Sequence, residues 1–148
     1  MIPAAAELGV GFVPYSPLGR GFLTGTVDAT TLGSNDFRRN IPRFAEAALD
    51  ANQGVVAAVQ AVAAELTVSG QAATPAQVAL AWLLAQGRKL GLSVVPIPGT
   101  RKAARIDENL GALTLDFTAA QLENLDAAAD AVVGSRSADP NWVSEGRE

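Results

Sequence analysis

Histidine and cysteine are both absent from these 148 residues. The missing histidines exclude a His-based triad, a histidine proton shuttle and most zinc catalysis by the chain's own side chains. Without cysteine there is no disulfide, thiol nucleophile or thiolate metal site, which suits a reducing cytoplasm, the expected location. Aromatic residues are scarce at 5%, with a single tyrosine, Tyr15. Positive charge is also in short supply. The 11 Lys and Arg against 15 Asp and Glu give a net charge of −4, so no nucleic acid or anionic membrane is expected as a partner. No apolar run approaches the roughly 20 residues that span a bilayer. The opening "MIPAAAELG" lacks the basic region of a secretory signal.

What is present is largely apolar. Hydrophobic residues make up 49% and charged ones 18%, enough for one globular domain with a sizeable core. Residues 2–8 read as the end of a helix closed by Gly9. Val10–Tyr15 and Leu92–Ile97 are short apolar runs suited to burial on both faces, each ending in a turn. Residues 16–49 read as one long loop containing the basic stretch "FRRNIPRF", and a connection of that length signals function or disorder. A helix is expected over 50–66, with Val55, Val56, Val59, Val62, Ala63 and Leu66 on one stripe. Another is expected over 75–87, apolar nearly all round, behind Thr74 as N-cap and Pro75 at the first helical position. Further helices follow over 101–110 and behind a capping box of Thr118 and Gln121. Residues 134–148 read as a polar, loosely held tail. Two short strands neither close a barrel nor make a stable parallel sheet, so this order points to part of a larger α/β architecture.

Two stretches carry candidate chemistry. In "VVPIPGTRKAARIDEN" a Gly-Thr turn opens a helix, whose first N–H groups and positive dipole end suit an anion such as phosphate. Arg101, Lys102 and Arg105 bring three cations to that end. Cations there disfavour the helix; a bound anion explains them, and a solvated basic face explains them equally well. No G-x-G-x-x-G fingerprint occurs, so an ordinary Rossmann site is unsupported. Tyr15 ends its strand either as a core-edge side chain with a wet hydroxyl or as a platform for a ligand.

In this order and spacing, "YSPLGRGFLTG", "FRRNIPRF", "TPAQVALAWLLAQ" and "VPIPGTRKAARIDENLGAL" resemble the aldo-keto reductases. The resemblance covers about residues 2–130, with the bacterial branch ending in "IPGT…R..EN" as its nearest match. It implies a (β/α)8 TIM barrel of which this chain is the C-terminal part, incomplete as a barrel on its own. Val10–Tyr15 would be strand seven and Leu92–Ile97 strand eight, within a partial domain over 1–133 followed by the tail 134–148. It further implies NADPH-dependent reduction of aldehydes and ketones of modest size to alcohols by hydride transfer. Tyr15 matches the aromatic stacked under the nicotinamide. Ser16, Leu18, Gly19 and Gly21 match the loop that holds the pyrophosphate, shaped by Pro17. Gly99 and Thr100 match the contact with the adenosine-ribose phosphate, and Arg101 and Arg105 the pair on the 2′-phosphate that favours NADPH over NADH. Glu108 and Asn109 match the residues that read adenine. Arg38 and Arg39 stand in a flexible loop that closes over cofactor or touches substrate. Phosphate binding after strands seven and eight is also a general habit of such barrels.

The family's catalytic Asp, Tyr, Lys and His lie earlier in its chain, Tyr15 matches the stacking position, and Lys89 and Lys102 lie in the wrong segments. The chain is therefore expected to carry the cofactor half of a reductase site without its acid–base half and to be inactive alone. The alternatives are a non-catalytic NADPH-binding or interaction module, completed by an N-terminal half or by self-association, and an inactive truncated product.

Overall fold

The computed structural model describes residues 2–28 and 30–139, so residues 140–148 of the expected tail lie outside the described residues. Helix α1 (Ile2–Glu7) is followed by 3₁₀ turns at Gly19–Thr24, Phe37–Asn40 and Pro42–Phe44. Helices α2 (Glu46–Ala51) and α3 (Gln53–Glu65) lead to a small hairpin, β1 (Thr67–Val68) and β2 (Gln71–Ala72). Helices α4 (Pro75–Leu90), α5 (Ala103–Leu110) and α6 (Ala119–Asp130) complete a helix-rich α/β chain.

Gly9 closes α1 as expected, with φ at 63°. Its N–H donates to Ala6 O (3.2 Å) and the Val10 N–H to Ala5 O (3.0 Å), the paired bonds of a Schellman closure. The chain then enters Val10–Tyr15, which lies parallel to Leu92–Ile97. Phe12 N–H donates to Ser93 O (2.8 Å), Val95 N–H to Phe12 O (3.0 Å) and Ile97 N–H to Pro14 O (3.3 Å). Pairing among the described residues is limited to two bridges, Phe12 with Val94 and Tyr15 with Ile97, since Pro14, which faces the second run, has no N–H to continue a ladder.

Burial of these runs on both faces is not observed. Phe12, Pro14, Val94 and Pro96 are half-buried, with Val94 against Gly87 of α4. The alternate residues Val13, Val95 and Ile97 are 54%, 58% and 52% exposed. Helices cover one face of the pair, and no described element covers the other.

The helix expected over 50–66 is split. It begins at Gln53, with α2 as a separate turn and a half before it, and the join falls at Asn52. The Asn52 amide is buried; its Oδ1 accepts the Val133 N–H (2.9 Å) and its Nδ2 donates to Val133 O (3.0 Å). Val56, Val59, Val62 and Ala63 of the expected stripe are buried. Helix α4 starts behind Thr74 as expected, with Gln77 completing a capping box, and Ala76 through Ala81 are all buried. It runs on to Leu90, where Gly91 at φ 62° ends it. The Thr118–Gln121 box opens α6 as expected. Helix α5 begins at Ala103, so Arg101 and Lys102 precede it rather than lying in its first turn.

Two cores result. One joins α3, α4 and α6 through Val59, Val62, Val78, Leu80 and Leu125. The other belongs to the long loop itself: Phe22, Val27, Leu32 and Phe44 pack with Leu49 and Val56, and the Phe22 and Phe44 rings meet edge-on at 6.1 Å. The described residues of 16–49 are therefore a folded cap, not an open connection; their hydrophobics have no period that sequence inspection would register. The start of the expected loose tail is also fastened, by Arg43 Nε donating to Gly134 O (3.1 Å) and the Arg43 N–H to Ser135 O (3.2 Å). No described helix is long and apolar enough to cross a membrane.

Candidate functional site

Because Tyr15 and Ile97 are bridge partners, the chain leaves the paired runs through two neighbouring loops. In the first, Ser16 (φ 48°), Gly19 (58°), Arg20 (57°) and Gly21 (93°) are all left-handed. For Ser16 and Arg20 that conformation costs about 1–3 kcal/mol each, and such strain concentrates at ligand sites. Internal bonds from Gly19 N–H to Ser16 O (3.0 Å) and from Gly21 N–H to Leu18 O (3.0 Å) hold the turn. The N–H groups of Ser16 and Leu18 have no partner among the described residues. Unpaired N–H groups in a turn of this kind form a concavity suited to an anion.

Between the loops runs an open groove of about 670 Å³. Ser16, Leu18 and Gly21 line one side, Ile97, Pro98 and Gly99 the other, and Arg105 of α5 reaches it. Arg20 and Arg38 add two further cations, and among the described residues no carboxylate lines it. Arg38 is partly neutralised: its Nη2 lies 2.7 Å from Asp36 Oδ2 and its Nη1 donates to Arg20 O (3.0 Å). The Arg38 hydrogen bonds in turn hold the Asp36 carboxyl down at about 2. Arg20 lies over the Phe37 ring at 5.7 Å. Thr24 and Thr26 share a hydroxyl contact of 2.8 Å at the groove edge.

The other expected site residues fall elsewhere. Tyr15 and Gly19 line an adjoining hollow. The Arg136 guanidinium covers the Tyr15 ring at 4.1 Å and donates to Tyr15 O (2.9 Å). Thr100 Oγ1 accepts the Lys102 N–H (3.1 Å) and so caps its own turn. Arg101 is exposed outside the groove lining. Glu108 offers its carbonyl to Gln77 Nε2 (2.8 Å), and Asn109 lines a small apolar pocket with Leu84 and Pro98. Arg39 donates to the Leu32 and Gly33 carbonyls, fastening the loop rather than reaching outward.

The structure thus gathers Ser16, Leu18, Gly21, Gly99 and Arg105 around one groove, sets Tyr15 and Gly19 beside it, and leaves Thr100, Arg101, Glu108 and Asn109 outside its lining. Sequence reasoning passed over Arg20, although it stands between two glycines of the turn. It also passed over Arg136, for which no local signal exists at a separation of 121 residues. Among the described residues no group of three or more His, Cys, Asp or Glu could hold a metal.

Comparison with known proteins adds two findings. Residues 1–130 match the Aldo/keto reductase family. The chain is 40% identical over 125 residues to "Probable aldo-keto reductase 1" of Glycine max. That alignment covers 84% of this chain and 34% of the relative, so the chain spans about a third of that protein's length.

Proposed function

The chain belongs to the aldo/keto reductase family, and from that premise we propose that it forms the NADPH-binding part of a reductase acting on aldehydes and ketones. The observation that carries the reading is the groove. Among the described residues, three arginines, no lining carboxylate and the unpaired N–H groups of Ser16 and Leu18 suit a ligand rich in phosphate. The parallel pairing of Val10–Tyr15 with Leu92–Ile97 supports taking them as neighbouring strands seven and eight of a (β/α)8 barrel.

When bound, NADPH supplies the hydride. In this reading the Ser16 and Leu18 N–H groups donate to the pyrophosphate, and Gly19, Gly21 and Gly99 leave room for its approach. Arg105, with Arg101 beside it, meets the 2′-phosphate and sets the preference for NADPH. The Tyr15 ring is the platform for the nicotinamide, which shares the ring with Arg136 or displaces its guanidinium. For Thr100, Glu108 and Asn109 to meet the adenosine end, that end must run past the groove and along α5. Protonation of the carbonyl oxygen as hydride arrives is assigned to residues outside these 148, which hold no histidine and only the one tyrosine.

The test is a titration of the purified chain with NADPH and with NADH, repeated on the double variant Arg101→Ala, Arg105→Ala. We expect saturable binding that prefers NADPH, weakened about tenfold, or about 1.4 kcal/mol, in the variant. Absence of saturable binding, or equal affinity for the two cofactors, would overturn the reading.

A further inference from the structure

Two adjoining hollows, with wall residues in common, both take in residues of the Ser16–Gly21 loop that also lines the groove. One, about 210 Å³, is almost wholly apolar, with Leu23, Phe44, Val59, Trp82, Leu83 and Leu125 in its walls. The other, about 280 Å³, shares Leu23, Phe44, Trp82 and Leu83 with the first. Arg20, Arg43 and Arg136 all line this second hollow, and among the described residues no acidic side chain lines either.

Among the described residues the three guanidinium groups are engaged only with neutral partners. Arg43 Nε donates to Gly134 O, Arg136 to Tyr15 O beneath its ring contact, and Arg20 lies over Phe37. None of the three has a carboxylate within ion-pair distance among the described residues. Burial, together with the charges of Arg136 and Arg20, pushes the Arg43 guanidinium below its ordinary range. Like charges gathered without a counter-ion at the edge of an apolar cavity are unfavourable twice over: they repel, and the cavity walls lack contacts. One kind of ligand relieves both.

We propose that these hollows bind a small amphipathic carboxylate, its apolar body between α3, α4 and α6 and its head against Arg43, Arg136 and Arg20. A carboxylate matches the guanidinium fork with paired N–H donors, and the apolar hollow takes a medium acyl chain. The site shares Ser16, Pro17 and Arg20 with the groove, and its Arg136 covers Tyr15, the nicotinamide platform of the NADPH reading, so the carboxylate is tested in the absence of NADPH.

Trp82 lines both hollows and is one of two tryptophans in the chain, the other being Trp142. In a Trp142→Phe background, Trp82 emission is titrated without NADPH, using decanoate, decanol and acetate below micellar concentrations. We expect a saturable shift with decanoate, binding at least tenfold weaker for decanol, and none for acetate. The double variant Arg43→Gln, Arg136→Gln should weaken decanoate tenfold or more and leave decanol unchanged. Ala129→Leu, which fills the apolar hollow, should weaken both, whereas Val95→Ser on the exposed strand face should alter neither. The proposal is overturned by decanol binding as tightly as decanoate, by a double variant of retained helix content that binds as before, or by the absence of a saturable shift.

Discussion

Gly87 lies inside α4, where alanine is ordinarily the better residue by about 0.5–1 kcal/mol. Here a Cβ would stand 2.7 Å from Val94 Cγ2 and 2.8 Å from the Leu92 carbonyl oxygen, so the helix would have to lift from the chain it covers. Gly87→Ala is expected to destabilise by about 1–3 kcal/mol, whereas Gly54→Ala in α3, whose Cβ would meet nothing within 4 Å, is expected to stabilise. Urea midpoints of the two variants decide this; a gain from both would show that α4 does not pack so closely. Asp36 makes a second prediction at this scale. Its carboxyl is held at about 2, against an ordinary 3.8, first by the Arg38 side chain and then by the Arg38 N–H. Since the folded value is depressed, the pair's contribution is complete above about pH 4 and is lost as the pH falls through 2. The pair is half-buried and still in contact with water, which keeps that contribution small. An NMR titration should place the Asp36 midpoint near 2 and return it towards 3.8 in Arg38→Met; a midpoint already near 3.8 in the parent protein would mean the pair does not form in solution.

Elements whose signals are local were legible in advance. Gly9 ends α1 and the Thr118 box opens α6 because a few adjacent residues satisfy the free backbone groups at a helix end. The hairpin β1–β2 was not legible: it depends on Ser69 and Gly70 both adopting positive φ, at 51° and 80°, which the stretch "TVSGQAA" only permits. The break between α2 and α3 depends on a partner 81 residues away, the Val133 backbone that Asn52 binds twice. Asn52→Ala removes both bonds to the Val133 backbone. It is expected to cost about 1–3 kcal/mol and to speed amide exchange at Val133 while α4 stays protected. Unchanged exchange there would show that the amide does not tie the end of α6 to the helix junction.

At the scale of the whole molecule, the paired runs show one covered and one open face. Val13, Val95 and Ile97 are each more than half exposed, and apolar surface costs roughly 25 cal/mol per Å² left in water. The purified chain is therefore expected to self-associate, with an apparent mass that rises with concentration in sedimentation and falls in the double variant Val13→Lys, Val95→Lys. A sharp, reversible unfolding transition from a monomer at every concentration would sink this expectation. Membership in the family, the helix caps and the apolar faces of α3 and α4 were all determined by sequence alone. Each depends on neighbours within a few positions or on a collinear motif. Only the tertiary structure decided that the described residues of 16–49 fold on a core of their own, that Arg39 is tied to the Leu32 and Gly33 carbonyls, that Glu108 and Asn109 stand outside the groove, and that Arg136 covers Tyr15. Those outcomes turn on contacts between residues far apart in the chain, whose side chains are chosen by packing and by the pairing of buried polar groups rather than by local propensity.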